Sequence, residues 1–134
     1  MVSPLKYIEK VNNAVKNKRH DRPIVVIKTR HLPEYKNYSS KGIVYHWKNK
    51  DEIRIPKGMP KTREEADRLA KTEKGRWIKR ALKVRKMPTE NEVLKHELYH
   101  IIKPKATEAQ VLRASRNPIP NRLPPRRTSG FERR

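Results

Sequence analysis

The chain has no cysteine among its 134 residues. That excludes a disulfide framework, a cysteine nucleophile and a cysteine-ligated zinc finger, so any metal site has to use His, Asp or Glu. Hydrophobic residues are scarce at 34% and aromatic ones make up 6%, which limits the core to one small domain. No apolar run approaches the ~18 residues of a membrane span. The N-terminal stretch MVSPLKYIEK lacks the apolar centre of a signal peptide. Both absences point to a cytoplasmic protein with no membrane partner. Acidic residues are also few: 14 Asp and Glu against 35 Lys and Arg leave a formal charge of +21 and a pI near 10.6. Such a balance favours polyanions, nucleic acid above all, without saying whether DNA or RNA.

The pattern along the chain predicts an α+β domain over residues 1–116, with an N-terminal helix and a short antiparallel sheet, and a tail over 117–134. Residues 3–19 read as an amphipathic helix, with Ser3 and Pro4 as its start and Leu5, Ile8, Val11 and Val15 as its apolar stripe. The β-branched run at 23–29 reads as a buried strand, and 30–42 as a loop. Ile43, Tyr45 and Trp47 alternate, Ile53 and Ile55 alternate on the return, and Asn49 to Glu52 reads as the turn of a short antiparallel hairpin. Thr62 and Glu65 form a capping-box pattern that opens a helix over about 62–86, with Gly75 weakening its middle so that two shorter helices are the alternative. Thr89 and Glu92 open a second helix in the same way, and Pro104 stops it. Thr107 caps a last helix at about 107–115. The remainder holds five Arg and four Pro in 18 residues, too few apolar groups for a core, and reads as an extended basic tail.

His96-Glu97-Leu98-Tyr99-His100 is the feature with the most chemistry in it. On a helix, residues four apart share a face, so both imidazoles can reach one zinc ion. Glu97 stands beside them, where it could take a proton from a water whose pKa the metal lowers. This is the HExxH pattern of zinc peptidases. Val93, Leu94, Leu98, Ile101 and Ile102 make the helix partly buried. The bland alternative is a solvated or core-satisfied histidine pair. A third ligand is needed, and Glu108 is the leading candidate, with His46, His31 and His20 as rivals. Glu108 could equally be an acid at the first turn of a helix, where the dipole favours it. Tyr99 falls on the helix face away from the histidines and is expected to pack; Tyr45 is the better candidate for a substrate cleft, although cross-strand packing fits it more often.

The run VLKHELYHII, followed by EAQVLRA and NPIP, resembles the ImmA/IrrE branch of the gluzincin metallopeptidases and the minimal single-domain gluzincins. The resemblance covers about residues 42–120. It implies a small zincin-like domain with Zn2+ as cofactor and a peptide or protein as substrate. His96, His100 and Glu108 would be ligands and Glu97 the general base. It also implies that substrate joins an edge strand, here Ile43 to Trp47 or Ile53 to Ile55. The His100 to Glu108 spacing is short for the family, and Tyr99 stands where the family commonly has Gly.

Lys71, Lys74, Arg76, Lys79, Arg80, Lys83, Arg85 and Lys86 make the 62–86 segment basic, and Arg122, Arg126 and Arg127 continue the charge in the tail. Lys79, Arg80, Lys83 and these three arginines are the candidate nucleic-acid contacts, of the kind that follow phosphates without reading sequence. Trp77 among them could stack on a base but fits a core position better. Two functions result. One is a zinc-dependent metallopeptidase with Glu97 as general base. The other is a non-enzymatic nucleic-acid-associated protein, ribosomal, chromatin or viral nucleocapsid, on a retired zincin fold.

Overall fold

The computed structural model describes residues 3–20, 22–31, 42–82 and 84–120. It is an α+β fold of five helices and one three-stranded sheet. Helix α1 spans Pro4–Lys16, strands β1, β2 and β3 span Ile24–His31, Ile43–His46 and Asp51–Lys57, and helices α2 to α5 span Arg63–Ala70, Glu73–Leu82, Glu90–Ile102 and Glu108–Ala114.

Helix α1 starts where Ser3 accepts the Lys6 amide and Pro4 occupies the first turn. Its buried stripe is Tyr7, Ile8, Val11 and Ala14, whereas Leu5 is 57% exposed. Ile8 and Val11 hold the expected stripe, Tyr7 and Ala14 join it in place of Leu5, and Val15 is half-buried. Asn12 ties this helix to the sheet: its amide accepts from the Ile24 N–H at 2.8 Å and donates to the Ile24 carbonyl at 3.0 Å, as a neighbouring strand would.

The sheet is mixed, in the order β1-β3-β2, with β1 parallel and β2 antiparallel to β3. The purely antiparallel expectation fails because the hairpin folds back and lays β3 between its two partners. That position suits β3, whose Ile53 and Ile55 are almost fully buried. The hairpin turn runs from Trp47 to Lys50, where the Trp47 amide donates to the Lys50 carbonyl. It is not at Asn49 to Glu52: Asp51 and Glu52 already belong to β3 and are buried as partners of basic groups. Pro56 sits in the central strand without cost. The β1–β3 register slips between Lys28 and His31, so the ladder is already broken opposite the missing N–H.

Val44 lies opposite Ile53, on the face that meets the core. Ile43 and Tyr45 lie opposite Arg54 and Glu52, on the other face. The apolar alternation of β2 therefore points away from the core, not into it.

The 62–86 helix is two helices that turn a corner at Lys71 and Thr72. The cause is not helix weakness at Gly75. The Thr72 hydroxyl donates to the Leu69 carbonyl and accepts the Gly75 amide, closing α2 and opening α3. Gly75 is needed because a Cβ there would stand 1.7 Å from the Leu69 oxygen. Thr62 caps α2, but Glu65 reaches the Lys61 amide and not that of Thr62. Complete capping boxes do form at Thr89/Glu92 and Thr107/Gln110. Ile78 is fully buried and Trp77 half-buried, so the core takes the isoleucine first.

Helix α4 lies across the sheet against β2 and β3 and also meets α1 and α5. Val93, Leu94, Leu98 and Ile101 are buried, each such side chain contributing about 1.5–3 kcal/mol. Residues 117–120 belong to the packed body: Ile119 is buried, and the Tyr99 hydroxyl donates to the Pro118 carbonyl at 2.8 Å. Tyr99 packs as expected, and its burial raises the phenol pKa. Among the described residues no helix is long and apolar enough to cross a membrane.

Candidate metal centre

The buried face of α4 carries His96 and Glu97, with His100 one turn on and half-buried. Their imidazole rings meet edge to face, with centroids 5.1 Å apart. The chain then turns at Pro104, and Thr107 caps α5 so that Glu108 stands in its first turn. The turn lets α5 fold back on α4. Glu108 thereby reaches both rings: Oε1 lies 2.7 Å from His96 Nε2 and Oε2 lies 3.0 Å from His100 Nε2.

Partial burial opposes ionisation of Glu108. The imidazoles outweigh it, His96 first, by charge and by hydrogen bonding, and hold the carboxyl below its ordinary pKa. An ionised carboxylate can only accept, so each Nε2 is the donor here. The ligand atoms of the three residues lie within 4.8 Å of one another. Four-coordinate zinc with bonds near 2.0–2.2 Å separates its ligand atoms by about 3.3 Å. The donor set of two imidazoles and a carboxylate, at these separations, fits such an ion.

Glu97 is 4% exposed and lies against Gly42, the residue before β2. A cleft of about 140 Å³ adjoins the centre, with His96 and Glu97 in its wall beside Val84, Pro88, Val93 and Leu112. Sequence reasoning missed this cleft and Gly42. A lone glycine just before a strand was the one available sign of a close approach.

Among the described residues, the rivals His46 and His20 are not part of the His96, His100 and Glu108 group. His46 Nδ1 meets Asp51 Oδ1 at 2.8 Å, and Arg22 reaches the same carboxylate oxygen at 3.7 Å. His20 is buried just after α1. The side chain of His31 lies outside the described residues. Of the candidate nucleic-acid contacts, Lys79 and Arg80 occupy the last turn of α3, where cations complement the helix dipole. Lys83, Arg122, Arg126 and Arg127 lie outside the described residues. Compared with known proteins, the chain matches no family model, no curated protein and no solved structure.

Proposed function

We propose that this chain is a zinc-dependent peptidase with a small zincin-like fold. The observation that carries the reading is the convergence of His96, His100 and Glu108, with Glu97 buried beside them against the sheet. Four ionisable groups gathered on one partly buried surface are expensive without a task.

When bound, zinc would lower the pKa of a water molecule and polarise a peptide carbonyl. His96 and His100 would hold it through Nε2, and Glu108 through a carboxylate oxygen. Glu97 takes a proton from the attacking water and passes it to the amide nitrogen as the peptide bond breaks. Gly42 leaves room for its carboxylate. Among the described residues β2 is an edge strand and β3 the central one, which favours residues 43–47 over 53–55 as the strand that substrate joins. The apolar cleft beside Glu97 would seat a substrate side chain.

Two measurements test this. Elemental analysis should find about one zinc per chain in the wild type and none in His96→Ala. The wild type should hydrolyse a casein or peptide-library substrate, and Glu97→Gln should keep its zinc and lose hydrolysis. Folded protein without zinc sinks the proposal. Zinc without hydrolysis leaves the non-enzymatic alternative.

A further inference from the structure

The face of the sheet turned away from α1 and α4 carries side chains that the packing of the core does not use. The strand register arranges them in rows. Tyr45, Glu52 and Val25 form one row, and Ile43, Arg54 and Ile27 the next. Trp47 stands two residues beyond Tyr45, where the hairpin turn begins. Its ring stacks on Tyr45, with centroids 5.8 Å apart and planes 20° apart. The Arg54 guanidinium covers the Tyr45 ring at 4.5 Å from its centroid. Trp47 and Ile43 are each 43% exposed and Ile27 is 36% exposed.

Single exposed apolar residues are ordinary, but a flat face that gathers a stacked aromatic pair and two isoleucines in register is not. We propose that this face binds single-stranded nucleic acid, with bases stacking on Trp47 and the Tyr45–Arg54 pair behind it. Charge decides the kind of partner. The chain carries +21, and the one acid in these rows, Glu52, is 3% exposed and paired with Lys50 and Arg54. Lys48, in the turn next to Trp47, is exposed. An apolar face framed by cations, with its acid neutralised, suits phosphates beside unstacked bases. A single strand fits better than a duplex, because the bases of a duplex already stack on one another and hide the faces that Trp47 would meet. Arg54 is held by both Glu52 and Tyr45, so the platform is ordered before anything binds.

The platform uses outward side chains of the same segment, 43–47, whose backbone edge is proposed to take a peptide, but none of the His–Glu residues, and its test reads neither zinc nor hydrolysis. The probes are fluorescein-labelled oligo-dT of 12 nucleotides and a mixed-sequence duplex of 12 base pairs, titrated with the full chain at several KCl concentrations. Trp47→Ala should weaken the single strand at least about fivefold and leave duplex affinity within about twofold, since phosphate contacts alone serve the duplex. Trp47→Phe should restore most of the loss. In a Trp77→Phe chain, Trp47 is the remaining tryptophan, and oligo-dT should quench its emission. That readout needs no change at the platform itself. Equal affinity of wild type and Trp47→Ala for oligo-dT overturns the proposal. So does the absence of quenching, and so does a self-association that Trp47→Ala abolishes while oligo-dT binding stays the same.

Discussion

Gly42 and Glu97 share a space that a side chain at 42 would fill: a Cβ there would stand 2.8 Å from Glu97 Oε2, 3.1 Å from its Cγ and 3.2 Å from the Arg54 carbonyl. The carboxylate is 4% exposed, so it has little freedom to move aside. Gly42→Ala is therefore expected to shift Glu97 while leaving the His96, His100 and Glu108 donors intact. Displacement of a reacting group by a fraction of an ångström to an ångström costs about tenfold to a hundredfold in rate. Steady-state hydrolysis should fall by that factor, and the zinc content should stay at the wild-type value.

Glu108, the proposed third ligand, contributes little to the fold. Its side chain is 62% exposed, so its contacts with the histidines are worth under about 1 kcal/mol to the metal-free protein. Glu108→Ala should leave thermal unfolding of the metal-free chain nearly unchanged. Isothermal titration with zinc should show at least about a tenfold loss of affinity. Unchanged affinity would remove Glu108 from the metal site.

Tyr7 sets the alkaline behaviour. Its hydroxyl is buried and has no hydrogen-bond partner among the described residues. Burial, and then the neighbouring Tyr99, raise its pKa well above the ordinary value of 10.0. In the unfolded chain the phenol ionises near pH 10, and in the folded chain it stays protonated to higher pH. The stability linked to this group is whole below pH 10 and is lost as pH rises from there towards the folded value. Tyr7→Phe should flatten that decline in urea titrations between pH 9 and pH 11. It should also stabilise the protein at neutral pH by about 1 kcal/mol, because an unsatisfied buried hydroxyl is removed.

Gly75→Ala separates local propensity from packing. In an isolated helix this change would stabilise by about 1 kcal/mol. Here the new Cβ would lie 1.7 Å from the Leu69 oxygen and 2.5 Å from its carbonyl carbon, both backbone atoms. The α2–α3 corner would have to open, and a loss of about 3 kcal/mol or more is expected, at the upper end for a single substitution. Denaturant unfolding gives the sign directly, and a gain in stability would contradict the corner as described.

Short-range energetics made much of this molecule legible. Thr89 with Glu92 and Thr107 with Gln110 satisfy helix ends within three residues, so the starts of α4 and α5 follow from local hydrogen bonding. Placing His96 and His100 on one face needs no more than helix geometry. Glu108 was legible as a candidate because the Pro104 turn is short. That its carboxylate reaches both Nε2 atoms depends on how α5 folds back.

What the sequence by itself determined is therefore the capped starts of α1, α2, α4 and α5, the shared face of the two histidines and the charge of +21. The sheet order, the outward face of Tyr45 and Trp47 and the room that Gly42 leaves for Glu97 were decided by tertiary structure. Each of these depends on atoms brought together from distant parts of the chain. The alternation of β2 is the same whichever face meets the core, and only the pairing of Val44 with Ile53 selects between them.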